Sequence, residues 1–131
     1  AFVAWMHEVG ERKEWIAAER FVFSETLSYG GTADAFSMSP AGDSVIWDWK
    51  TKNAESYSKY GGGIKDHAQL AAYAMALREM GSTIAPDIGY IAYVMRDGSG
   101  VDVVPVDLEQ GWELFKASRN LALLVKARKE S

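Results

Sequence analysis

The six residues Val45, Ile46, Trp47, Asp48, Trp49 and Lys50 constrain this chain more than any other stretch, because their chemistry alternates with a period of two. An extended strand sends successive side chains to opposite faces, so Val45, Trp47 and Trp49 share one face while Ile46, Asp48 and Lys50 share the other. β-Branched and aromatic residues favour such a strand, and the tryptophans imply that at least one side of it is buried. The opposite side carries an acid and a base projecting next to each other. The chain must therefore build a sheet around a strand that is apolar on one face and charged on part of the other.

The surrounding sequence supplies the rest of that sheet. Residues 20–27 and 32–38 read as two strands joined through Tyr29, Gly30 and Gly31, and Pro40, Ala41, Gly42 and Asp43 mark a turn before a third strand over residues 45–51. Three consecutive strands predict an antiparallel meander. Ahead of them, Phe2, Trp5, Met6, Val9 and Trp15 fall at helical intervals over residues 1–18, interrupted by Gly10. Residues 52–63 read as a mobile loop ending in Gly61, Gly62 and Gly63. A helix follows: Asp66 is an expected N-cap with Gln69 three positions on, and the alanine-rich stretch to Met80 can lie close to a sheet. Residues 81–86 break it. Residues 88–95 and 101–106 then flank residues 96–100 as a hairpin. The last helix starts from a second cap pattern, Asp107 and Gln110. Its apolar stripe is Leu108, Trp112, Phe115, Ala122 and Val125, with Lys126, Arg128 and Lys129 at the negative end of the helix dipole.

Length and composition narrow the class. A chain of 131 residues with 48% hydrophobic content and five tryptophans suits one domain over residues 1–131. It opens at Ala1 directly in an apolar helical segment, so the expectation is that an upstream N-terminal helix is missing from it. Neither a membrane span nor a secretory signal is visible, which predicts a cytoplasmic protein with no membrane partner. The absence of cysteine excludes disulfides, iron–sulfur clusters and thiolate zinc sites, and leaves oxygen ligands that suit a hard cation such as Mg²⁺. A net charge of −4 speaks against coating nucleic acid through a broad basic face. It does not speak against an enzyme, whose carboxylates can be neutralised locally by their own ions.

On the neighbouring strand Thr32, Asp34, Phe36 and Met38 share a face by alternation, so a suitable register sets Asp34 across from Asp48. Two carboxylates beside the Lys50 ammonium form a pocket with a defined use. Alone they repel; a divalent cation between them offsets the repulsion and lowers the pKa of a bound water. Lys50 could orient that water or stabilise charge developing on a phosphoryl oxygen, and the Trp49 carbonyl offers a further oxygen ligand. An acid and a lysine two apart on a strand also occur as a solvated face with a weak ion pair. Against that bland alternative, Gly31, Thr32 and Asp34 place a carboxylate just past a close approach, where glycine leaves room for a ligand.

These residues resemble ordered motifs of the PD-(D/E)XK nuclease superfamily, in its RecB-type exonuclease branch with phage-like members. Gly31, Thr32, Ala33 and Asp34 look like its Gly-x-x-Asp segment, Asp48, Trp49, Lys50 and Thr51 like its Asp-Trp/Tyr-Lys-Thr strand, and Gln69 to Tyr73 like its Gln-x-x-x-Tyr helix. The resemblance covers residues 19–106. It implies an α/β fold, a restriction-endonuclease-like core with a mixed sheet of about five strands flanked by α-helices. It further implies hydrolysis of DNA phosphodiester bonds with Mg²⁺ or Mn²⁺ as cofactor, by an exonuclease of DNA repair or recombination working with a helicase or recombination protein. Asp34, Asp48 and the Trp49 carbonyl would then ligate metal, Asp34, Asp48 and Lys50 would be catalytic, and Gln69 and Tyr73, four apart on one helical face, would position substrate.

Gln69 also has a reading as part of the Asp66 cap, and Tyr73 as a core residue with its hydroxyl at the edge. Thr51 and Lys52 are candidate DNA contacts. Lys59 and Lys65, with Tyr57 and Tyr60, surround the glycine-rich loop and could meet phosphates and bases. Glu19 matches an acid that often begins the strand before Gly-x-x-Asp, and His67 reads as a surface residue rather than a ligand. One departure stands out: family members often complete the metal site with an upstream histidine or glutamate, for which this sequence offers only His7, Glu8, Glu11 or Glu14. The rival expectation is a non-catalytic or degenerate nuclease-fold domain that binds nucleic acid or serves as a scaffold. A third is a metal-dependent hydrolase of another phosphate ester.

Overall fold

The computed structural model describes residues 14–38, 42–81 and 86–130, with side chains from residue 21 onward. Five strands form one mixed sheet in the order β1-β2-β3-β4-β5: β1 (Glu14–Ser24), β2 (Tyr29–Met38), β3 (Ser44–Lys52), β4 (Ile88–Met95) and β5 (Val101–Val106). The first three strands are the expected antiparallel meander, and β4 and β5 are the expected hairpin. β3 and β4 run parallel, with Asp48 beside Ile91 and Lys50 beside Tyr93. A parallel pair needs a crossover. Here it contains two helices, α1 (Ala54–Tyr60) and α2 (Ile64–Glu79), and α3 (Leu108–Glu130) follows β5. Among the described residues no helix is long and apolar enough to cross a membrane.

Helix α2 lies on the sheet because its core-facing residues are small or aliphatic. Leu70, Ala74, Ala76 and Leu77 pack with Val22, Phe36, Ile46 and Ile91 in one buried cluster. Helix α3 packs on α2 in turn. The crossing is close enough that a Cβ on Gly111 would come within 2.8 Å of Ala71 Cβ and His67 O. Ala35, Val45 and Trp47 form a second cluster on the other face of the sheet, where Trp47 stacks on Tyr90 and its Nε1 donates to Ser37 Oγ at 2.8 Å.

Several local expectations change. Residues 14–18 are strand rather than helix, since pairing with β2 outweighs the helical spacing of the apolar residues; residues 1–13 and the side chain of Trp15 lie outside the described residues. The β1–β2 connection precedes Tyr29. Leu27 N–H donates to Ser24 Oγ, Glu79 accepts from Ser24 and Thr26, and Arg119 donates to Leu27 O, so contacts distant in sequence place the turn. Residues 54–60 are helix α1 where a loop was expected: Asn53 caps it by accepting Ser56 N–H at 3.1 Å, and Gly61 ends it at φ 65°. Helix α2 starts from Gly63, so Asp66 lies in its first turn rather than at the cap. Asp107 does cap α3, accepting Gln110 N–H at 3.0 Å, while Ala122 and Val125 at the far end of the expected stripe are exposed.

Candidate active site

Strand alternation delivers Asp48 and Lys50 to the α2 side of the sheet, next to Ile46 in the core. Asp48 is 5% exposed. Lys50 Nζ lies 3.1 Å from Asp48 Oδ2 and donates to Gln69 Oε1 at 2.7 Å, so strand and helix hold the ammonium between them. Tyr73 follows one turn later on α2, over Gly31 of β2, where a Cβ would sit 2.5 Å from the phenol ring. Glycine at position 31 thus serves close packing rather than a turn.

Asp34 joins the group where β2 stops pairing with β3. Gly31 faces Tyr73, Ala33 and Phe36 belong to the α2-side core, and Ala35 belongs to the opposite cluster. The two-residue period therefore slips once near Ala33 and Asp34, and Thr32 does not share a face with Asp34 as simple alternation predicted. The β2–β3 pairs run from Met38↔Ser44 to Ala35↔Trp47. Just past the last of them, Asp34 Oδ2 accepts the backbone N–H of Trp49 at 2.8 Å. The side chain of one strand thus takes a donor from the next where the ladder opens, and the expected neighbourhood of Asp34, Asp48 and Lys50 is formed.

Burial pushes the Asp48 carboxyl up to about 7, the hydrogen bond to Asp34 adds to this, and the charge of Lys50 opposes it. Burial and then the Asp48 charge raise the Tyr73 phenol. Asp48 Oδ2 is fully enclosed, and the Lys50 ammonium faces it at 3.1 Å as an ion pair. A buried carboxylate oxygen is costly unless something cationic meets it, and here the ammonium does so. Two carboxylates, one of them enclosed, are the hard oxygen donors that Mg²⁺ or Mn²⁺ prefers, so the residues fit such an ion. Among the described residues no group of three acidic, histidine or cysteine side chains gathers into a fuller cage. His7, Glu8 and Glu11, and the side chains of Glu14 and Glu19, lie outside the described residues.

A second cluster borders the site. Lys52 continues the Asp48–Lys50 face, 3.7 Å from Asp66 Oδ2 and 5.6 Å from the centre of the Tyr93 ring. Tyr93 donates to Asp66 at 2.9 Å, its ring packs on Tyr57, and a Cβ on Gly62 would overlap its phenol. Tyr57 donates to Asp102. Asp66 and Tyr93 escaped the sequence reading because Asp66 resembled a cap and Tyr93 an ordinary strand residue; the available signal was Lys52, two positions after Lys50. Thr51, Lys65 and Tyr60 are exposed, Lys59 pairs with Glu55 at 3.5 Å, and His67 is half-buried.

The profile of the PD-(D/E)XK nuclease superfamily matches residues 1–122. Among solved structures, the chain is similar to the crystal structure of SSO0001 at 18% identity and a TM-score of 0.50, covering 92% of this chain. It spans 57% of that protein's length. A search of curated proteins finds no match. The mixed five-stranded sheet with flanking helices is that of a restriction-endonuclease-like core, and the profile match runs through every strand of it. The chain belongs to the PD-(D/E)XK nuclease superfamily.

Proposed function

We propose that the chain is a metal-dependent deoxyribonuclease acting as an exonuclease, with Asp34, Asp48 and Lys50 as catalytic residues. The observation that carries this is the enclosed Asp48 carboxylate paired with the Lys50 ammonium at 3.1 Å, with the Asp34 carboxylate tied to the Trp49 N–H between them. Asp34, Asp48 and the Trp49 carbonyl would hold Mg²⁺ or Mn²⁺, which when bound lowers the pKa of water and offsets negative charge on a phosphodiester. The chain's own groups do the positioning. Lys50, fixed by Gln69, presents an ammonium to a phosphoryl oxygen or to the attacking water. Gln69 and Tyr73 border the same space and orient the substrate strand. The end-directed mode rests on the likeness of the three ordered motifs to RecB-type exonucleases. A place in repair or recombination beside a helicase or recombination protein rests on the same likeness.

The test compares linear single-stranded, linear duplex and circular DNA in Mg²⁺, Mn²⁺ or EDTA. Digestion of linear DNA with either metal, none in EDTA, and loss on Lys50→Ala or Asp48→Asn with the fold intact are expected. A folded chain that binds Mn²⁺ but cleaves no DNA sinks the proposal. The two-carboxylate donor set favours one rival, a nuclease-fold domain that binds nucleic acid or acts as a scaffold without cutting it. DNA affinity indifferent to metal, with no Mn²⁺ heat in calorimetry, would select that rival.

A further inference from the structure

A cavity of about 290 Å³ opens directly beside the candidate active site and shares Gln69 and Tyr73 with it. Its floor is the small-residue stripe of α2, Ala68 and Ala72, both buried. Tyr29, Tyr73 and Phe115 supply aromatic walls. Tyr29 is fixed by donating to Ala72 O at 2.7 Å and meets Phe115 edge-on at 4.8 Å, so this wall is preorganised. Lys65 and Ser118 line it as well, and no carboxylate is among its lining residues. The larger cavity, about 900 Å³ between α2 and α3, has the opposite character: Asp87, Asp107, Glu109 and Glu113 line it against the single cation Arg78. In a chain of net charge −4, the smaller cavity is the one a polyanion can approach.

Its size selects further. About 290 Å³ sits at the low end of small-ligand sites, which run from roughly 300 to 1,000 Å³. A base pair within a duplex cannot enter it, whereas one unpaired base can reach an aromatic wall. We propose that this cavity is a subsite for one unpaired nucleotide of a DNA strand, its base against Tyr29, Tyr73 and Phe115 and a flanking phosphate at Lys65. The inference rests on the nuclease reading for its substrate and makes that substrate a single strand or a frayed end. Gln69 and Tyr73 then act at a boundary, with the stacked base on one side and Lys50 on the other.

Binding to the full chain in EDTA tests this apart from cleavage. The probes are a fluorescein-labelled oligothymidylate, an abasic oligonucleotide of equal length, and a blunt duplex, each read by anisotropy. Stacking at one aromatic site is worth about 1–3 kcal/mol, so oligothymidylate is expected to bind about fivefold or more tightly than the abasic strand. Ser118→Trp, an exposed position whose indole would fill the cavity, should bring the two affinities within about twofold. Ser118→Glu, which keeps the cavity open and adds a negative charge, should weaken both strands. Equal affinities for base-bearing and abasic strands, no measurable binding, or a base preference that survives Ser118→Trp would overturn the subsite. Metal-dependent cleavage is assayed separately on the same proteins. Cleavage without base preference defeats the subsite alone, and base preference without cleavage defeats the nuclease reading alone.

Discussion

The backbone N–H of Trp49 donates to Asp34 Oδ2 at 2.8 Å, so the carboxylate of one strand is tied to the backbone between the two charged residues of the next. The bond separates two roles of Asp34. Asn at this position keeps an oxygen acceptor and loses the charge, whereas Ala loses both. Asp34→Asn should retain the wild-type melting temperature within a few degrees while cleavage falls about a hundredfold or more. Asp34→Ala should in addition cost about 1 kcal/mol of stability in urea unfolding. Equal activity of wild type and Asp34→Asn would remove Asp34 from the proposed metal site.

Asp48 makes stability depend on pH in an unusual direction. Its carboxyl stands at about 7 in the folded chain, against an ordinary value of 3.8, mainly through burial. The folded protein therefore keeps a proton that the unfolded chain releases. The folded state carries no penalty from this group below 3.8, an increasing one as pH rises, and the whole of it above about 7. Glu79 acts oppositely, because hydrogen bonds from Ser24 and then Thr26 lower its value, and its contribution is lost as pH falls. In EDTA, the melting-temperature difference between Asp48→Asn and wild type should grow in favour of the variant from pH 4 to pH 8. A constant difference would contradict it. Mn²⁺ should stabilise wild type most above pH 7, where the carboxylate is free to bind it.

Lys50 is held from both sides, by Asp48 at 3.1 Å and by Gln69 at 2.7 Å. Gln69→Ala removes the helix partner and lets the ammonium collapse onto Asp48. A positioning loss of this kind is expected to lower kcat about tenfold to a hundredfold with circular dichroism unchanged. A kcat equal to wild type would leave Gln69 with a packing role only.

The α2–α3 crossing gives a test independent of chemistry. Replacing a helical glycine by alanine ordinarily gains about 1 kcal/mol. At Gly111 the new methyl would meet Ala71 Cβ and the His67 carbonyl at 2.8 Å, neither of which can rotate away. Overpacking of this kind costs about 1–3 kcal/mol, so Gly111→Ala should lower the urea midpoint. Gly100→Ala, with open space around it, should leave the midpoint nearly unchanged.

How much of this was legible in the sequence depended on how local each cause is. Asp48 and Lys50 share a face because of a two-residue period, and Gln69 and Tyr73 because of a four-residue spacing; both are visible in a short window. The change of face in β2 near Asp34 was not, since it shows only in which core each residue joins and in where the pairing with β3 ends. The β1–β2 turn likewise answers to Glu79 and Arg119. Helix α1 is a different kind of miss. Asn53 followed by Ala54 and Glu55 is a local start signal, and the three glycines after it drew the whole stretch into a loop.

The site's strand has a neighbour on each side, β2 and β4, while among the described residues β1 and β5 form the borders of the sheet. Protection from solvent exchange should follow that order. Border amides can exchange through local fraying, but amides of β3 near Asp48 require a larger cooperative opening. The candidate chemistry is therefore carried by the slowest-breathing part of the sheet, and partial unfolding from either border would leave the acids and lysine close to their working positions.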